Sequence, residues 1–180
     1  SPYAASKIGA DKMAEAFHLS YALPIATVRP FNTFGPRQSL RAVIPTIIAQ
    51  LLNGDLVRLG NLDPTRDLNF VANTVNGFIL AAQENEAVGR VVNLGSGREI
   101  SIGDLARLIA RLLGRSVKIE SEEQRLRPDN SEVERLLADN RLASEVLGWM
   151  PEVGLEEGLE RTVEWVRAHQ DQVRARSFVL

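Results

Sequence analysis

Helical and strand signals alternate along this chain, with no linker, internal repeat or low-complexity tract between them, and that interlocked order points to an α/β architecture. Ala10, Ala14, Phe17 and Tyr21 form a helical stripe that stops before Pro24. Pro2 suits the first helical position and Ser1 its cap. Residues 25–28 read as a short buried strand closed by Arg29 and Pro30, and 31–41 as an ordered loop. A helix is expected over 42–52, with Pro45 in its first turn and Asn53 and Gly54 at its end. Strands are expected at 56–59, 67–71, 90–94 and 117–120. Asn73 reads as the cap of a helix to about Glu84, and Ser101 with Asp104 as a capping box opening a helix through Leu113. Helices over 139–148 and 155–170 follow, in a more irregular final third, divided by a turn at 148–151.

Composition narrows the function classes. At 180 residues the chain can bury a sizeable core. A net charge of -2 gives no electrostatic case for nucleic acid or an anionic membrane. With no cysteine there is no disulfide framework and no thiol chemistry, which suits the cytoplasm. No apolar run reaches membrane-span length, and the first residues do not read as a signal peptide. His18 and His169 lie far apart on expected helices without ligand-like neighbours, so no metal site is expected.

Three constellations carry chemistry. In Tyr3-Ala-Ala-Ser-Lys7 the tyrosine and lysine share one helix face, which sets an ammonium beside a phenol. A cation favours the ionised form of a phenol, and a phenol so tuned can take a proton from a hydroxyl while hydride leaves the same carbon. The bland alternative is a solvated helix face. Ala4, Ala5, Gly9 and Ala10 favour the sharper reading, since they allow close approach of a cofactor or a partner helix. Gly95-Ser-Gly97 follows a strand, precedes a helix and stands well upstream of Glu120, as a dinucleotide fingerprint would. However, Ile100 takes the place of the third glycine and the helix opens only after Ser101, so a tight strand-to-helix turn is the better reading. Arginines gather in expected loops: Arg29, Arg37 and Arg41, then Arg66, then Arg125 and Arg127. Guanidinium forks match a diphosphate, against the alternative of surface ion pairs such as Arg66 with Asp67. Arg66 and Arg127 are the strongest of these, because each stands by a proline-fixed turn.

The ordered set SPYAASK, VRPFNTFGPRQ, VIPTII, TRDLNFV, NLGSG and RLRP resembles the extended short-chain dehydrogenase/reductases that act on nucleotide sugars, the NAD-dependent epimerase/dehydratase family. The resemblance covers essentially the whole chain. RPDNSEVERLLADN and LGWMPEVGLEEGL look most like the branch that makes 4-keto-6-deoxy sugars from UDP-N-acetylglucosamine. The resemblance implies the C-terminal part of a Rossmann-type doubly wound fold plus a smaller α/β substrate-binding domain. Residues 1–30 and about 62–95 would belong to the Rossmann side, and about 31–61 and 96–180 to the substrate domain.

It further implies NAD as cofactor, a UDP-linked sugar as substrate and a homodimer. Tyr3 would be the acid/base at the sugar 4-hydroxyl, with Lys7 tuning it and bonding the nicotinamide ribose. Pro30 and Phe31 would border the nicotinamide, Asn32 would reach the substrate phosphate or sugar, Val43 and Ile44 would frame the base, and Arg66 and Arg127 would clamp the diphosphate. The reaction would begin with hydride transfer from C4 and end as a 4,6-dehydration or an epimerisation. The family's glycine-rich loop, its catalytic Ser or Thr and the acidic pair of its dehydratases would lie upstream of Tyr3. The expectation is therefore a C-terminal fragment that neither holds NAD tightly nor turns over substrate. Two other readings compete: a non-catalytic module for nucleotide-sugar binding or oligomerisation, and a reductase of a non-nucleotide substrate.

Overall fold

Helix α1 (Pro2–Tyr21) opens as its sequence dictates. Ser1 caps it by accepting a hydrogen bond from the Ala4 amide at 3.2 Å, and Pro2 occupies the first turn, where a missing N–H costs nothing. The computed structural model describes residues 1–122 and 133–169. After α1 come β1 (Thr27–Pro30), β2 (Asn32–Phe34), α2 (Val43–Asn53), β3 (Leu56–Leu59), β4 (Thr65–Arg66), β5 (Leu68–Phe70) and α3 (Val71–Gln83). A short 3-10 turn at Asn85–Ala87 leads to β6 (Val91–Leu94), β7 (Ile100–Ser101), α4 (Ile102–Leu112) and β8 (Lys118–Ser121). Beyond the undescribed stretch lie β9 (Arg135–Leu136), α5 (Arg141–Leu147) and α6 (Leu155–Ala168).

Three parallel pairs organise the molecule: β1 with β6, β2 with β5, and β3 with β8. A mixed three-stranded piece sets β4 between antiparallel β7 and parallel β9. This is the mixed α/β architecture expected from the alternating pattern. Parallel strands need crossovers, and the helices supply them.

Two apolar cores form. The larger joins Phe34, Ile44, Ile47, Ile48 and Leu51 to Leu105, Ile109 and Leu159, so α2, α4 and α6 cover the β2, β3 and β5 region. The smaller gathers Ala81, Val92, Leu94, Val146, Leu147 and Trp149 between α3, β6 and α5.

Four expectations needed correction. The 25–28 strand is shifted to 27–30 and only half-buried, with β6 as its one strand partner among the described residues. The 31–41 loop contains β2, whose three residues pair with β5 across a long stretch of chain. The two-residue strands β4, β7 and β9 were not expected at all. Asn73 does not cap α3; it lies within the first turn, buried, and bridges away from the helix. Its Nδ2 donates to the Val153 carbonyl at 2.9 Å, while its Oδ1 accepts from the Glu152 and Val153 amides. The capping box is as expected: Ser101 Oγ accepts from the Asp104 amide at 3.0 Å.

Candidate active site

A cleft of about 450 Å³ opens beside the first residues of the β2/β5 pair and the last of β3, and its walls come from separated segments. Asn32 and Thr33 of β2, Val43 and Ile44 at the start of α2, Arg66 of β4 and Leu68 of β5 all line it. Gln38 and Arg41 from the intervening loop and Asn61 beyond β3 complete its polar wall. The charged lining consists of Arg41 and Arg66, with no carboxylate among the described lining residues. The α2 N-terminus faces the same cleft through Val43 and Ile44, and its cap, Ala42, has no side chain to satisfy the free amides. Two arginines beside an uncapped helix N-terminus make an anion-receptive wall, while Ile44, Leu59 and Ile102 offer apolar surface.

The Arg66 guanidinium is tied to the backbone beside it. Its Nη1 donates to the Thr65 carbonyl at 2.8 Å. The Thr65 hydroxyl donates to Glu99 Oε2 at 2.7 Å, and Arg135 grips the same carboxylate through Nε and Nη2. The Arg135 guanidinium, helped by the Thr65 hydroxyl, pulls the Glu99 carboxyl down to about 2. This clamp joins β7, β4 and β9 edge to edge beside the cleft.

Tyr3 and Lys7 lie together, as their spacing requires, with Lys7 Nζ 5.5 Å from the Tyr3 ring centroid. Neither lines the cleft, and Tyr3 is 71% exposed on a helix that buries none of its residues. Helix α1 is tied to the strands through Asp11, which accepts from Arg29 Nε at 2.9 Å. His18 adds a local tie, donating through Nδ1 to the Leu23 carbonyl at 2.7 Å. Pro30 ends β1, and the Phe31 amide donates to the Leu94 carbonyl at 2.9 Å, so these two residues occupy the carboxyl end of the β1/β6 pair. That is where ligands of open α/β sheets bind. Arg127, with Arg125, lies outside the described residues.

The Gly95–Gly97 turn does hold an anion, but the anion is the protein's own. Asp67, fully buried, accepts from the Ser96 amide and hydroxyl through Oδ1, both at 2.7 Å. Its Oδ2 accepts from the Gly97 amide at 2.9 Å and the Ala138 amide at 3.1 Å. A Cβ at Gly95 would fall on Ala138 Cβ and 2.9 Å from Asp67 Oδ2, so only glycine fits there. Gly97 adopts a positive φ of 70°, which glycine tolerates best. The amides a pyrophosphate would need are taken, so this turn does not fit a dinucleotide.

Asp67 is thus a shared anchor rather than a simple surface partner for Arg66. Its one sequence signal is a carboxylate beside an apolar strand, which demands a buried set of donors. Gln38 and Asn61 carried no signal beyond loop position.

Comparison with known proteins identifies the family. The family model described as GDP-mannose 4,6 dehydratase matches residues 1–162. UDP-glucuronic acid decarboxylase 1 of Xenopus tropicalis is 37% identical over 170 residues, spanning 92% of this chain and 38% of that protein. UDP-glucuronate 4-epimerase of Thermodesulfobacterium geofontis is 30% identical over 178 residues, spanning 97% of this chain and 53% of that protein. Among solved structures, dTDP-glucose 4,6-dehydratase of Bacillus anthracis in complex with NAD superposes with a TM-score of 0.84 at 26% identity, over 95% of this chain and 53% of that one. The chain spans about half the length, or less, of the relatives it matches. It belongs to the extended short-chain dehydrogenase/reductase family of NAD-dependent nucleotide-sugar epimerases and dehydratases.

Proposed function

We propose that this chain is the substrate-binding and Tyr/Lys-bearing portion of a nucleotide-sugar 4,6-dehydratase or epimerase, with a UDP-linked sugar as substrate. The observation that carries the reading is convergence: Asn32, Val43, Ile44 and Arg66, singled out from separate stretches of sequence, line one cleft. Arg66, with Arg41 in the same lining, would hold the diphosphate; Val43 and Ile44 would flank the base; Asn32 would face the sugar. Tyr3 would take the proton of the sugar 4-hydroxyl, with the Lys7 charge beside it. NAD, when bound, supplies the hydride acceptor, and Pro30 and Phe31 would border its nicotinamide. In this division residues 1–30 and about 62–95 would be Rossmann-side elements, with Arg66 reaching to the substrate, and about 31–61 and 96–180 the substrate-binding domain.

Alone, the chain is expected to bind the sugar nucleotide without oxidising it, because the Gly95–Gly97 turn, filled by Asp67, offers a dinucleotide hydride acceptor no pyrophosphate site. A second copy would pack on α1, whose Ile8, Met13 and Phe17 are exposed, in a cytoplasmic homodimer.

Calorimetric titration of the chain with UDP-N-acetylglucosamine, with NAD in parallel, tests the reading. Saturable binding of the sugar nucleotide that falls about tenfold or more in Arg66→Ala supports it. Wild-type chain that ignores both UDP-N-acetylglucosamine and UDP overturns it. Reduced nicotinamide forming in the mixture would overturn the expected inactivity alone.

A further inference from the structure

We infer that Asp67 is a positioning residue for the cleft: its buried carboxylate fixes the strand that carries Arg66, and its backbone carbonyl holds Asn32, from the side facing away from the ligand. The inference rests on the nucleotide-diphosphate reading of the cleft given above. Asp67 is absent from the cleft lining, yet it bonds to several segments around it. It directly follows Arg66, and its carbonyl accepts from Asn32 Nδ2 at 3.3 Å. Its amide donates to the Leu136 carbonyl at 2.8 Å, which locks β4 onto β9. Its carboxylate takes donors from the turn after β6 and from Ala138 after β9. One side chain therefore gathers the turn after β6 and the segment after β9 around the strand that carries Arg66.

The charge matters as well as the contacts. Both oxygens are saturated by donors, and none of the four is a cation. A buried carboxylate held only by neutral donors loses its match if any of them is removed or if the acceptor becomes a donor. Asp67→Asn would turn an NH₂ group toward at least one N–H that now donates. The turn and the Ala138 segment would separate from β4, and the Arg66 guanidinium would lose its fixed approach. Ser96 reaches Asp67 from outside the substrate cleft, since it lines a different depression beside α4 and α6. A substitution there cannot touch a ligand in the cleft directly.

The test measures UDP affinity of the 180-residue chain by calorimetry in wild type, Asp67→Asn, Ser96→Ala, Ser96→Thr, Arg66→Ala and the Asp67→Asn/Arg66→Ala pair. Expected are a loss of about tenfold in Asp67→Asn and about threefold in Ser96→Ala, with Ser96→Thr, which keeps the hydroxyl donor, near wild type. The pair should bind no more than about twofold weaker than Arg66→Ala, because a residue acting through Arg66 has nothing left to position. A general loosening of the fold would instead multiply the two losses, and that outcome overturns the inference. So does wild-type affinity in both Asp67→Asn and Ser96→Ala. If circular dichroism finds Asp67→Asn unfolded, the two Ser96 variants decide: loss in alanine with recovery in threonine supports the inference, and equal affinity overturns it. Absence of UDP binding in the wild type, or no effect of Arg66→Ala, overturns the cleft reading itself, and the Asp67 inference falls with it.

Discussion

Single residues decide how tightly the cleft is framed, and Gly95 is the most constrained. Its missing Cβ is what lets the turn lie on Ala138 and Asp67. Gly95→Ala is expected to destabilise the chain by about 1–3 kcal/mol, as overpacking against fixed neighbours does, and urea denaturation reads it directly. Glu99 gives a pH-dependent counterpart. Its folded carboxyl titrates at about 2 instead of the usual 4.5, so the unfolded chain holds on to the proton more strongly than the native one. The stability it contributes is complete above 4.5 and drains away as the pH falls through 2. Glu99→Gln removes that contribution, so the stability gap between wild type and variant should close across this window and stay constant above it. A gap that widens on acidification would show that Arg135 and Thr65 do not hold the carboxylate.

At the level of elements, legibility followed length. Helices α2, α4 and α6 run for three or four turns, and their apolar stripes, Pro45 and the Ser101 cap were readable because those signals are local. Strands β2, β4, β7 and β9 hold two or three residues each, too few for any periodicity, and exist only because distant partners meet them. Asn73 was misread for a physical reason: asparagine near a helix start usually caps it, but here the 152–153 backbone offered its amide better partners. The cleft was legible in Asn32, Val43, Ile44 and Arg66, which stand in motif-rich stretches, and not in Gln38 or Asn61, which become neighbours only on folding. Two element-scale outcomes follow. Ser101→Ala should cost about 1 kcal/mol through loss of the α4 cap, seen as a lower denaturation midpoint. Asn73→Ala should cost more, about 2–3 kcal/mol, because it strands the Glu152 and Val153 amides while α3 loses its tie to the segment before α6. Equal losses in the two variants would mean the 152–153 backbone finds new partners.

Across the molecule, apolar surface is unevenly covered. Tyr3, Ile8, Met13, Phe17 and Leu19 on α1, with Val75, Phe78 and Ile79 on α3, remain exposed although two well-packed cores lie beneath. Exposed apolar side chains gathered on two helices favour association. Sedimentation velocity should therefore find concentration-dependent self-association that Ile8→Glu and Phe78→Glu weaken, with no change in UDP affinity; concentration-independent monomer in the wild type would contradict this.

The strand pairing also has a cost in time. No two paired strands among the described residues are neighbours in sequence: Thr27 waits for Val91, Asn32 for Leu68 and Leu56 for Lys118. A ribosome releasing this chain would expose β1 and β3 long before their partners exist, with the α1 surface bare beside them. Folding from such distant pairings is slow, because loops close before contacts reward them. The same parallel strands that contribute to the cleft thus leave the nascent chain in need of protection until the residues after 121 have emerged.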